Sequence, residues 1–179
     1  WASGSALDAH IGAMASLAPS AWVLTVVRTD TNLPVAVNEE EIHGLCRTSR
    51  ALSEDATVYI SHGDVAALPA VAAGASMVGT GWDQRQRVCA YGHYAPRPAD
   101  GGGGGGWYER PTLRGLLGSI TPDNAIVLNS RDPQLVQQLG GIPAPGPREA
   151  FDHHVATLAG IVEAIEAETD WAAKYRLLA

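Results

Sequence analysis

The sequence predicts an α/β fold made of parallel β/α units, and three observations carry that expectation. Two short apolar runs, 57–61 and 76–81, each lead into a glycine-bearing loop of small polar residues, SerHisGlyAsp at 61–64 and GlyThrGlyTrpAsp at 79–83. The ten residues ValAlaAlaLeuProAlaValAlaAlaGly, with Ala75 after them, join the two runs, a length that suits a crossover helix and not a hairpin turn. A third run, 22–27, is rich in β-branched residues and has helix-like segments on both sides. Helix, strand, helix, strand, helix, strand with short links calls for a parallel sheet covered by helices, because right-handed crossovers admit little else.

Taken in order, Ser5 and Asp8 have capping-box spacing, and Leu7, Ile11, Met14 and Leu17 recur on one helical face until Pro19 stops the helix. The run 22–27 then reads as a buried strand ending in ArgThrAsp at 28–30. Asn38 and Glu41 are placed to cap a second helix with Ile42, Leu45, Cys46 and Leu52 as its inward stripe, and the strand 57–61 follows. Pro69 falls in the first turn of the third helix, where its missing N–H has no intrahelical partner, and Gly74 is placed as the C-cap. After the strand 76–81, ProArgProAlaAsp and six glycines at 101–106 predict a flexible loop that divides the chain. Beyond it the pattern predicts a short helix at 113–117, a strand at 125–128, and a helix with Asp132 as cap, Pro133 at its first position and Gly140 past its end. In the last helix Phe151, Val155, Leu158, Val162 and Ile165 form one apolar seam, which Trp171, Tyr175 and Leu178 prolong. The organisation expected is a β/α-repeat region at 1–95, a glycine-rich loop at 96–106, and a mostly helical extension at 107–179 that packs on the repeats.

Composition narrows the function classes. With 179 residues, 46% of them hydrophobic and 17% charged, the chain has enough apolar material for a sizeable core. Cys46 and Cys89 are too few for a disulfide framework or a cysteine zinc site, and a reducing, cytoplasmic setting is the expectation. No window approaches the ~18 uninterrupted apolar residues that would cross a bilayer, so no membrane association is expected. The formal charge of -7 leaves a local arginine patch as the one route to nucleic acid.

Ligands of parallel β/α folds collect at the carboxyl ends of the strands, which selects the candidate residues. His62, Asp64 and Asp83 are the candidate catalytic groups, with His62 and Asp64 placed as an acid/base pair. Gly63, Gly79, Thr80 and Gly81 are placed to bring backbone close to a ligand, with Trp82 as a surface for a flat ring. Arg85 and Arg87 suit a phosphate or carboxylate by their fork geometry, and Arg28 and Asp30 repeat the strand-end argument on the first strand. Each has a structural alternative: close packing at the glycines, helix capping at Asp64 and Asp83, ordinary ion pairs at the arginines. His153 and His154 are consecutive, so a helix separates them by about 100° and they are not the i, i+4 pair of helical metal ligands; no metal is expected.

Three strands cannot close a barrel, which leaves either the C-terminal part of a (β/α)8 (TIM) barrel or a small open sheet, with the first favoured. SerHisGlyAsp at 61–64 and AlaGlyAlaSerMetValGlyThrGly at 73–81 resemble the last strand loops of phosphate- or flavin-binding barrels. More narrowly, Gly74 and Ala75, the following strand, GlnArgGlnArg at 84–87 and the helix bearing His153, Val155, Ile161, Val162 and Ile165 resemble the tRNA-guanine transglycosylase superfamily, including its relatives that place deazaguanine bases in DNA. The family's aspartate nucleophile on the last strand corresponds to Gly79, and its three-cysteine zinc site has no counterpart. The resemblance implies a barrel enzyme that exchanges a nucleobase or nucleoside. Two alternatives stay open: a barrel that anchors FMN or a phosphorylated ligand, and a non-catalytic barrel subunit. In each, the remaining barrel strands or a partner subunit complete the structure.

Overall fold

The computed structural model describes residues 4–29, 37–95 and 110–179. Asp30 and the glycine-rich segment 101–106 lie outside the described residues. Helix α1, Ser5–Ala15, precedes strand β1, Ala21–Thr25, and helix α2, Glu39–Leu52, precedes strand β2, Thr57–Ser61. A 3-10 turn, Asp64–Ala67, runs into helix α3, Leu68–Ala72, and then strand β3, Met77–Val78, and helix α4, Gln84–Arg87. The second part holds strands β4, Thr112–Leu113, and β5, Gly118–Ser119, then helices α5, Pro122–Arg131, α6, Pro133–Gln138, α7, Pro147–Ala167, and α8, Trp171–Arg176.

The first three strands form one parallel sheet in the order β1-β2-β3, as their apolar runs predicted. Val23, Tyr59 and Met77 share one cross-strand row, and Leu24, Ile60 and Val78 share the next. Side chains alternate between the two faces, and the two rows have opposite fates. Leu24 and Ile60, with Val58, are buried with Leu7 and Ile11 of α1, Leu45 and Leu52 of α2, and Ala67 and Ala70. On the other face Val23 is 67% and Met77 57% exposed. Among the described residues, the helices thus cover one face of the sheet.

The alanines of α3 have a steric reason. Ala70 belongs to the cluster shared with the sheet and α2, whereas Leu68, Val71 and Ala72 belong to a second cluster with Leu158, Ile161 and Ile165 of α7. A helix packed on two sides needs small residues to keep its neighbours close, and Ala70 and Ala72 are fully buried. Pro69 stands in the first turn of α3 as expected, and Gly74 ends it at φ 118°. A Cβ at Gly74 would also lie 2.4 Å from the Ser53 hydroxyl, so this position requires glycine twice over.

Five expectations are corrected. Asp8 does not complete a capping box with Ser5: the N-cap is Gly4, and Asp8 pairs instead with Arg47 at 2.7 Å. Residues 125–128 are helical, because Thr121 accepts from the Asn124 amide and Pro122 opens α5; a four-residue apolar run does not by itself separate strand from helix. The short helix expected at 113–117 is a single 3-10 turn, Arg114–Leu116, ended by a left-handed Leu117 and set between the antiparallel strands β4 and β5. The third strand is confined to Met77–Val78, although Ser76 and Gly79 still donate to Val58 and Ile60. Lastly, the buried stripe of α7 is Ala150, His154, Leu158, Ile161 and Ile165, rotated from the predicted seam, and Val155 is exposed. The caps at Asn38 and Asp132 form as predicted.

Gly160, in the interior of the 21-residue α7, has nothing within 4 Å of the position its Cβ would take. Gly160→Ala is expected to stabilise the fold by about 0.5–1 kcal/mol, since alanine loses less backbone freedom in a helix. Urea unfolding measures it, and a lowered midpoint would show that this face of α7 is covered in solution.

Candidate functional site

The site begins where β2 ends. His62 and Asp64 both take left-handed backbone, φ 54° and 47°, a conformation most side chains avoid and one that Asp and His tolerate better than most. Gly63, between them, is right-handed, so its role is close packing: a Cβ there would lie 2.4 Å from the Ala67 Cβ and 2.9 Å from Ile60. The amides of Gly63 and Asp64 both donate to the Gly79 carbonyl, at 3.0 and 3.1 Å, and the Gly79 amide donates to Ile60 at 2.7 Å. These bonds clamp the ends of β2 and β3 together and carry Asp64 inward.

Asp64 is 4% exposed and meets two further buried side chains, Arg87 from α4 and His154 from α7. Its Oδ1 accepts from the Val65 amide at 2.8 Å and faces His154 Nε2 at 3.2 Å, while Oδ2 accepts from Arg87 Nε at 2.6 Å. The His154 ring is held at both nitrogens: Nε2 is 3.0 Å from the Thr80 hydroxyl and Nδ1 2.8 Å from the Thr112 hydroxyl. His153 Nε2 donates to the Thr112 carbonyl at 2.9 Å, which ties β4 to the same helix. Burial pushes the Asp64 carboxyl up, but the His154 hydrogen bond and the Arg87 guanidinium together outweigh it and hold the group below the usual carboxylate range. At neutral pH it is a carboxylate.

Asp64 and Arg87 open onto a cavity of about 210 Å³. Its walls are mainly apolar, with Val65, Leu68, Pro69, Leu117 and Leu178 in the lining beside Thr112 and Ser119. A carboxylate and a guanidinium side by side in an apolar hollow can bind a group that both donates and accepts hydrogen bonds, and the ionised carboxylate is also a potential nucleophile. A carboxylate offers about four acceptor sites; three of them are filled by Val65, His154 and Arg87, and Oδ2 keeps one.

The structure thus gathers Asp64, Thr80 and Arg87 of the sequence candidates, with Gly63 and Gly79 shaping the backbone beneath them. His62 is not Asp64's partner: its Nδ1 lies 2.6 Å from the Ser61 hydroxyl, and the expected acid/base pair does not form. Asp83 has the capping role, accepting from the amides of Arg85 and Gln86 at 2.7 and 3.2 Å, and Arg85 lies 3.7 Å from the same carboxylate. Trp82 stacks at a tilt on Phe151, ring centres 5.2 Å apart. Gly81 lies against the Gln86 side chain, with which a Cβ would collide at 2.2 Å. Arg28 makes a two-pronged ion pair with Glu41 of α2. Of the residues expected to hold a phosphate, Gly63, Gly79 and Thr80, the first two have their amides on backbone carbonyls and Thr80 has its hydroxyl on His154. Sequence reasoning missed Thr112 and the central role of His154. The available signal was a histidine on the buried stripe of α7, where a polar ring needs partners.

Among the described residues no group of three His, Cys, Asp or Glu is placed to hold a metal ion, and no helix is long and apolar enough to cross a membrane. No known protein family, curated protein or solved structure matches this chain.

Proposed function

We propose that the chain binds a nucleobase-sized heterocycle in the cavity beside Asp64 and belongs to a barrel-type enzyme of base exchange. The observation that carries this reading is the buried, ionised Asp64, held on left-handed backbone and paired with Arg87 in the lining of a mainly apolar hollow. At about 210 Å³ the hollow is smaller than the roughly 300–1,000 Å³ of pockets for drug-sized ligands, which suits a single fused ring system. The remaining acceptor site of Asp64 would take a ring N–H, and Arg87 would donate to an adjacent carbonyl. Asp64, and neither His62 nor Asp83, is then the residue of chemistry. The barrel part of the reading rests on the sheet: parallel sheets are normally covered on both faces, whereas this one has helices on one face and the apolar row Val23, Tyr59, Met77 on the other. That arrangement supports the reading of the sheet as part of a barrel wall, whose remaining strands would be supplied elsewhere.

One observation favours a non-catalytic role for the same residues. Three of the four acceptor sites of Asp64 are used within the protein, which suits a clamp joining β2, α4 and α7. A thermal-shift titration with guanine and 7-deazaguanine separates the two. A heterocycle at 100 times its dissociation constant adds about 2.7 kcal/mol, roughly 5–11 °C for a chain of this size, and Asp64→Asn is expected to abolish that shift relative to its own apo midpoint. Equal shifts in parent and variant would place the ligand elsewhere, and no shift with any base would leave the clamp as the role of Asp64. For the exchange step, labelled guanine is supplied to the complete native assembly with nucleic acid, and incorporation lost in Asp64→Asn is the expected result.

A further inference from the structure

We infer that the cleft between α2 and α8, separate from the Asp64 cavity, is an anion site for a phosphate group carried on a small molecule. Cys46, Arg47 and Arg50 of α2 and Trp171 and Tyr175 of α8, with Ala73, line a space of about 340 Å³. Arg50 lies with its guanidinium carbon 3.9 Å from the Trp171 ring centre, and the Lys174 ammonium lies 5.1 Å from the same ring. Stacking on an indole fixes a guanidinium plane while leaving its edge N–H groups to point outward, which is the arrangement that grips a phosphate by two bonds. Carboxylates outnumber basic side chains 19 to 12 in this chain, yet among the described residues Arg50 and Lys174 form no salt bridge.

The neighbouring charges do not cancel these two. Arg47 and Asp8 neutralise each other at 2.7 Å, and Asp170 is engaged by the Ala173 amide and by Arg176. The other polar atoms of the cleft are donors at neutral pH. Burial, and then the neighbouring Cys46, pushes the Tyr175 hydroxyl up to about 12, and burial likewise raises the Cys46 thiol. Tyr175 and Cys46 both line the cleft, and with their protons retained each has one to offer. A cleft lined by Arg50 with no salt bridge, by a hydroxyl and a thiol and by no carboxylate, with the Lys174 ammonium beside the ring of its Trp171, selects an anion. Its volume, near the lower end of the pocket range, limits the occupant to a small phosphorylated molecule.

The test is a phosphate titration of the full chain followed by NMR at the Trp171 indole N–H and the Arg50 side-chain N–H, at ionic strength matched with chloride. Inorganic phosphate and a sugar phosphate serve as probes. A saturable shift that chloride does not reproduce is expected, weakened by about tenfold or more in Arg50→Gln and in Lys174→Gln and unchanged in Arg148→Gln. Circular dichroism establishes that each variant is folded, and if Arg50→Gln is not, Lys174→Gln alone decides. The inference is overturned by a shift that does not saturate, by one that chloride matches, or by affinity unchanged in Lys174→Gln. Tighter binding of a single-stranded oligonucleotide, with a salt slope showing several phosphate contacts, would assign the cleft to a nucleic-acid backbone and overturn the small-molecule assignment.

Discussion

Asp64→Ala is expected to lower the unfolding free energy by about 3–5 kcal/mol and the melting temperature by roughly 6–20 °C. The loss exceeds the worth of any one bond because the substitution takes the carboxylate from two buried partners at once, Arg87 at 3% and His154 at 1% exposure. Removing both ends of the pair tests that account. Asp64→Leu combined with Arg87→Met should be more stable than Asp64→Leu alone, since no buried guanidinium is then left without the Asp64 carboxylate. If the single and double variants are equally stable, Arg87 is solvated or paired elsewhere, and the clamp is not what sets the cost. Acid supplies a second measurement on the same group. The folded-state pKa of Asp64 lies below its unfolded value, so its contribution is fully present above the unfolded pKa near 4 and is lost as pH falls through the lower, folded one. Unfolding free energy should therefore fall from about pH 4 downward, and Asp64→Asn should flatten that part of the profile.

What the sequence made legible was local. A β-branched run at Thr57–Ser61 names its own strand, Asn38 its helix start, and Pro69 with Gly74 the two ends of α3, because each depends on residues within a turn or two. The strand ends could be selected as the place of a site because parallel β/α topology puts them together. The partners of Asp64 could not be selected in that way. Arg87 is 23 residues from it, and 74 residues separate Thr80 from the His154 that joins them. No spacing rule reaches that far. One long-range clue was present and was read on the wrong face: a seam through Phe151 and Val155 leaves His154 beside the apolar stripe, whereas the stripe through Ala150 and Leu158 contains it. A helix turned by one residue, about 100°, hid the residue that organises the site. The same reasoning explains Arg28, which looked like a strand-end ligand group because nothing within a turn of it announces Glu41.

Gly63→Val is expected to cost about 3 kcal/mol or more and to remove ligand binding in the Asp64 cavity together with the stability. A valine Cβ would lie 2.4 Å from the Ala67 Cβ and 2.9 Å from Ile60 Cγ2, and two further methyl groups would have to fit in the same space. Ala67 and Ile60 are 1% exposed and have no room to retreat, so the turn itself must move. That turn holds the Gly63 and Asp64 amides on the Gly79 carbonyl, and displacing it withdraws Asp64 from Arg87 and His154. Overpacking alone typically costs about 1–3 kcal/mol, and the broken pair adds to it. Chemical denaturation measures the first effect, and the heterocycle titration the second. Gly160→Ala is the matched control, since its open surroundings predict a change of opposite sign. Should Gly63→Val keep parental stability, the packing between the β2 turn and α3 is looser than the geometry describes. Should it lose stability but retain the full heterocycle shift, the ligand does not depend on where Asp64 is held, and the base-binding reading of the cavity fails with it.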